Sequence, residues 1–170
     1  MNNFTLPKIG ARNLKTALSV FLCVLLFELF HRPFPFYACI AAVICTRDTL
    51  ENSLNMGKSR MIGTTIGGIL GLFFIFVDRH FYINFLNTQA VITGIGIISV
   101  IYLCNILNRQ SSAQIACIVY LAIMVNLKGI EPYSYAINRI FDTFIGVFIA
   151  LIINIYIKPV KSEKTKHVKP

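Results

Sequence analysis

The chain has 170 residues, of which 56% are hydrophobic and only 14% charged, and it carries a net charge of +9. A typical soluble domain holds about 45–50% apolar and about 25% charged residues, and a chain this short has no core large enough to hide the excess. The charges flank long apolar runs, so the basic balance is read as membrane orientation and attraction to anionic lipid, with nucleic acid set aside as a partner.

Six apolar segments follow one another. The first, about residues 14–30, stands after a basic stretch and ends in Glu28, His31 and Arg32 without a small-residue cleavage site. It is therefore read as a retained membrane helix, not a signal peptide. Pro33 and Pro35 mark a tight turn. The second segment, residues 34–45, makes only roughly 18 Å of helix against a hydrocarbon core of about 30 Å. In the polar connector that follows, Leu50 and Leu54 suit either a short helix lying on the inner surface or a polar extension of the second helix. The third segment, residues 61–77, has no charge and is closed by Asp78, Arg79 and His80. The fourth is about residues 88–106, the fifth 111–127 and the sixth about 140–157. Residues 1–157 thus read as one six-helix transmembrane domain, and 158–170 as a basic cytoplasmic tail, disordered and drawn to anionic lipid.

Placing the N-terminus inside puts twelve of the 16 Lys and Arg residues on the inner side, and leaves Arg32, Arg79, Lys128 and Arg139 outside. That bias predicts a multi-pass protein of the cell membrane with both termini in the cytoplasm.

The third and sixth segments echo each other. A frame of Arg-x-x-x-Thr-x-Ile-Gly runs from Arg60 to Gly67 and again from Arg139 to Gly146, offset by 79 residues. Positions 60, 63, 64, 67 and 71 fall on one helical stripe, and Arg12, Lys15, Thr16, Ser19 and Cys23 keep the same spacing on the first helix. Each half, about 12–78 and 88–157, contains three crossings. Three is odd, so the expected fold is an all-α membrane bundle of two three-helix inverted repeats. The short second and fifth helices, at corresponding places, point to a substrate site near the midplane.

Three motifs in order, Arg12-x-x-Lys15-Thr16, Arg60-x-x-Gly63-Thr64-x-x-Gly67 and Arg139-x-x-Asp142-Thr143-x-x-Gly146, resemble the membrane half of the aromatic acid exporter family over about residues 7–157. That superfamily includes the fusaric acid resistance proteins and, more distantly, the plant aluminium-activated malate transporters. The resemblance implies a six-helix unit that moves organic anions, often aromatic carboxylates, out of the cytoplasm. Larger members resemble this chain with a sizeable cytosolic domain added after the membrane part. Here a 13-residue tail stands in that place, as in a short form.

Several residues carry the functional expectations. Arg60 and Arg139 open their segments at the membrane boundary, where they either snorkel to lipid phosphates or hold a carboxylate. Asp142 either pairs with Arg139 three residues before it or carries a coupling proton; Asp142 and Glu28 are the only acidic residues inside the segments. Thr64 and Thr143 line a path or hydrogen-bond between helices. Gly63, Gly67, Gly71 and Gly146 let backbones approach, within the bundle or between subunits, and a homo-oligomer is expected. The five cysteines form no CxxC pair, and the three histidines offer no ligand spacing with them, so no metal or cofactor is expected. With no nucleotide-binding loop and no catalytic constellation, the reading is a gradient-driven exporter of organic anions, or a subunit of one, and not an enzyme. A passive anion channel, and a scaffold that binds a partner protein or lipid, are the rivals.

Overall fold

The computed structural model describes residues 10–80, 88–126 and 132–157. Among these residues all regular structure is helical: α1 (Ala11–Leu29), α2 (Phe36–Cys45), α3 (Leu50–His80), α4 (Thr88–Ile106), α5 (Gln110–Asn126) and α6 (Pro132–Tyr156). The basic tail lies outside the described residues.

Three stretches, Leu50–Asp78, Gln89–Ile106 and Tyr133–Tyr156, are long and apolar enough to cross a membrane. Phe36–Cys45 and Gln110–Val125 are apolar but shorter, and α1 carries Arg12, Lys15 and Glu28 within its 19 residues. Large apolar side chains stand exposed along the outer faces, among them Phe21 and Leu25 on α1, Ile95 and Ile98 on α4 and Phe141 and Phe148 on α6. Such a surface is stable against lipid tails, and the chain is a membrane protein.

The turn between α1 and α2 follows from local chemistry. His31 and Phe34 take left-handed backbone angles, φ 49° and 63°, while Pro33 and Pro35 bar any helix through them. Thr46 ends α2 by donating its hydroxyl to the Ala42 carbonyl at 2.8 Å. The connector that follows is neither a surface helix nor part of α2. It is the first turns of α3, which begins at Leu50, eleven residues before the apolar run. α6 likewise begins at Pro132, before its own apolar run.

Helix α3 packs most extensively on α5, α2 on α6, and α3 and α6 on each other. Glycine makes these contacts close. A Cβ at Gly63 would meet the Ser112 carbonyl at 2.6 Å, one at Gly71 would meet Ile123 at 2.8 Å, and one at Gly67 would overlap the Ala116 carbonyl outright. Gly146 on α6 stands in the same way against the Ala38 carbonyl of α2. The glycine stripe is therefore spent inside the chain, on α5 and α2, and not on a face left for another subunit.

Helices α3 and α6 run antiparallel. Asn154, near the end of α6, donates to Ser53 Oγ at 2.7 Å near the start of α3. At that same end of α3, Ser59 and Ser111 share a hydrogen bond of 2.9 Å, which brings in the α4–α5 turn. The α1–α2 turn sits by the first half of α6, where Arg32 donates to Asn138 Oδ1 at 3.0 Å.

Candidate functional site

A cleft of about 890 Å³ opens between the α1–α2 turn, the start of α2 and the first half of α6. Its volume is within the range of small-molecule sites. From α6 come Tyr135, Asn138, Arg139 and Asp142, whose i, i+3, i+4, i+7 spacing places them on one helical face. The turn supplies Arg32, and α2 supplies Tyr37.

The geometry joins cations to aromatic rings. The Arg139 guanidinium lies over the Tyr37 ring, 3.5 Å from its centroid, in a cation–π contact. Tyr37 and Tyr135 cross edge to face with ring centroids 6.0 Å apart, and their hydroxyls are 2.6 Å apart. Arg32 Nη2 donates to Asn138 Oδ1 at 3.0 Å and faces Asp142 Oδ1 at 3.5 Å, with the Phe27 ring 5.8 Å from its guanidinium carbon. Two guanidinium groups, one carboxylate and several aromatic rings thus converge. Such an arrangement has the chemistry to accept a carboxylate on planar N–H forks with a ring stacked beside it.

The structure sorts the residues singled out in the sequence. Arg139 and Asp142 both line the cleft, but the ion pair of Asp142 is with Arg32, not with Arg139. Stacking on Tyr37 occupies the face of the Arg139 guanidinium instead. Neither Arg60 nor Arg139 sits at a helix start, and both are buried in the protein, 7% and 6% exposed. Arg60 lies outside the cleft lining, within electrostatic reach of Arg139 and Cys45, and its Nε is buried without a hydrogen-bond partner. Thr64 on α3 and Thr143 on α6 are buried and do not line the cleft. Glu28 is exposed on α1 and also stands outside it. Gly63, Gly67, Gly71 and Gly146 serve the helix contacts described above.

Sequence reading missed Arg32, Tyr37, Tyr135 and Asn138. The signal for three of the cleft residues was present in the polar i, i+3, i+7 stripe of Tyr135, Asn138 and Asp142. Arg32 gave no such signal, because its partners lie 106 and 110 positions away.

A second polar cluster ties the opposite end of the bundle. Lys15 Nζ donates to Asn154 Oδ1 at 2.8 Å, and Asn154 Nδ2 donates to Ser53 Oγ at 2.7 Å and to the Thr49 carbonyl at 3.2 Å. Ser19 faces Thr46 Oγ1 at 3.3 Å, and the Arg47 amide donates to Ser53 Oγ at 3.0 Å.

The model of a family described as aromatic acid exporter family member 1 matches residues 7–157. A UPF0421 protein of Bacillus thuringiensis (strain Al Hakam) is 27% identical over 157 residues, which are 92% of this chain and 41% of the relative. UPF0421 proteins of Staphylococcus haemolyticus and Bacillus cereus are 27% and 26% identical over 153 and 151 residues, or 90% and 89% of this chain and 44% and 40% of theirs. The chain thus spans about two fifths of the length of these relatives. No solved structure matches.

Proposed function

Because the chain belongs to the aromatic acid exporter family, we propose that it moves organic anions such as aromatic carboxylates out of the cytoplasm, driven by an existing gradient, alone or as the membrane part of an exporter. The observation that carries this reading is the cleft in which Arg32 and Arg139 meet Tyr37 and Tyr135. A carboxylate satisfies the guanidinium groups, and an attached ring finds aromatic edges and faces beside them. Arg60, buried and within reach of Arg139, continues the basic surroundings toward the start of α3. Thr64 and Thr143, buried on α3 and α6, are candidates for a path.

The architecture behind this reading is a pair of inverted three-helix repeats in the cell membrane, with both termini cytoplasmic. The matching contacts of Gly67 on Ala116 and Gly146 on Ala38 support it. So does the antiparallel course of α3 and α6. In this orientation the cleft opens toward the outer face. Because the chain itself uses the glycine stripe, a homo-oligomer would form through the exposed apolar faces.

The test is efflux of labelled benzoate from proteoliposomes, with and without imposed pH and electrical gradients. Gradient-dependent efflux is expected, lowered but not abolished by Arg139→Lys and largely lost in Arg139→Gln, because lysine keeps the charge without the planar fork. Current that ignores the proton gradient identifies a passive channel. No flux identifies a scaffold.

A further inference from the structure

The cleft already contains a carboxylate of its own. Asp142 is 5% exposed, and its Oδ1 faces Arg32 Nη2 at 3.5 Å with no hydrogen bond upon it. Charge-assisted N–H···O pairs close to about 2.7–2.9 Å. Arg32 is thus attracted to Asp142 without being closed onto it, and its nearer partner is the neutral Asn138 oxygen at 3.0 Å. The charged and titratable groups facing Asp142 are Arg32 from the turn, Tyr37 from α2, and Tyr135 and Arg139 from α6. α3 contributes Arg60, near Arg139; α5 carries no charged residue; and Glu28 of α1 is exposed outside the cleft. Among the described residues, two guanidinium groups against one carboxylate leave the cleft with one positive charge in excess.

Resting on the anion-transport reading above, we propose that Asp142 is a resident carboxylate that sets what the cleft accepts: one aromatic monocarboxylate, held most tightly when Asp142 is protonated. With Asp142 ionised, a monoanion brings the cleft to neutrality and a dianion overshoots it; protonation of Asp142 adds to the pull on a monoanion and lessens the penalty on a dianion. A ligand carboxylate on the same guanidinium groups repels the Asp142 anion, so each favours the neutral form of the other. The coupling is reciprocal, and proton uptake by Asp142 must strengthen ligand binding by the factor by which the ligand strengthens proton uptake.

Binding of labelled benzoate to the full chain in mild detergent tests this between about pH 5.5 and 8, where benzoate itself stays ionised. The expected wild-type affinity falls as pH rises, by no more than about tenfold per pH unit because one proton is linked. Asp142→Asn is expected to bind several-fold more tightly than wild type at about pH 8 and to lose the slope. Arg32→Gln is expected to weaken binding at every pH. At about pH 8 wild type is expected to prefer benzoate to terephthalate, and a lower pH or Asp142→Asn to narrow that preference. A flat wild-type profile, or an Asp142→Asn that binds more weakly than wild type, overturns the role of Asp142. A wild-type preference for terephthalate at about pH 8 overturns the monocarboxylate assignment. Neither the wild-type profile nor the ligand comparison depends on a variant that folds. Wild-type protein that binds no benzoate at any pH overturns the transport reading itself, which separates the two failures.

Discussion

Lys15 is 2% exposed, and the polar atom it meets is the amide oxygen of Asn154 at 2.8 Å. A buried ammonium whose partner among the described residues is neutral is costly, because dipoles alone then offset its desolvation. Its value lies in position: through Asn154 it connects α1 to the start of α3. Replacing the cation by a hydrocarbon of similar shape removes the penalty, whereas removing the amide strands the cation. Lys15→Met is therefore expected to leave the thermal stability of the detergent-solubilised protein unchanged or raised. Asn154→Leu is expected to lower it by about 1.5–3 kcal/mol, the cost of an unsatisfied hydrogen bond to a buried charge. The double variant should recover most of that loss, and a double variant as unstable as Asn154→Leu would count against it. The sequence shows half of this. The stripe of Lys15, Ser19 and Cys23 is legible from helical spacing, and all three are buried. Asn154 is not, because it looks like one polar residue in an apolar run until the fold brings it across 139 positions. Arg32 stayed hidden for the same reason: charge counting treats it as an outer-loop residue, and only the Pro33–Pro35 turn folds it back onto α6.

Among the helices, the apolar runs were legible and the polar starts were not. The fourth segment was read at residues 88–106, the span α4 occupies, because both of its ends coincide with a change in polarity. α3 and α6 begin eleven and eight residues before their apolar runs. Those polar turns are helical because they have tertiary partners: Ser53 bonds to Asn154, Gly57 lies against Val147, and the turn with Tyr135, Asn138 and Arg139 meets Tyr37 and Arg32. Hydropathy detects lipid contact, whereas these turns are mostly exposed and set only one face, with Ser53, Gly57 and Arg60 on α3 and Ala136 and Arg139 on α6, against protein. The close contacts of α3 on α5 and α6 on α2 give a test by glycine substitution. A methyl group at Gly67 or Gly146 meets a backbone carbonyl that has no rotamer by which to move away. At Gly94 on α4, nothing lies within 4 Å. Gly67→Ala and Gly146→Ala are expected to destabilise the protein by at least about 1 kcal/mol through overpacking. Gly94→Ala should be neutral or stabilising by up to about 1 kcal/mol through helix propensity. Thermal unfolding followed by size-exclusion chromatography ranks the three, and Gly94→Ala as the most harmful would contradict this packing.

For the whole molecule, the decisive question is which turns share a side of the membrane. Two short turns are related by the proposed repeat, and each uses left-handed backbone: His31 and Phe34 between α1 and α2, and Asn108, φ 53°, between α4 and α5. If the halves were parallel repeats, both turns would lie on one face. Inverted repeats place them on opposite faces, and the contacts agree with that: Arg32 bonds to the first half of α6, whereas Ser111, just after Asn108, bonds to Ser59 near the start of α3. Since α3 and α6 run antiparallel, those are opposite ends of the bundle. The excess of basic residues at the end that includes Arg47, Lys58 and Arg109 is the basis for proposing that this end faces the cytoplasm. Cysteine accessibility turns this into a measurement. Phe34 is 78% exposed and Asn108 is exposed, so the protein itself does not cover a cysteine at either. The native cysteines Cys23, Cys45 and Cys104 are buried, and Cys39 and Cys117 partly so, which favours replacing those two in the background. In intact cells a membrane-impermeant maleimide is expected to label Phe34→Cys, and to reach Asn108→Cys only after permeabilisation. The reversed pattern would keep the inverted repeat and reject the cytoplasmic termini, because the antiparallel halves survive turning the molecule over. Labelling of both sites from one side would reject the repeat itself, and with it the assignment of the cleft to one face and the glycine contacts to a symmetric pair.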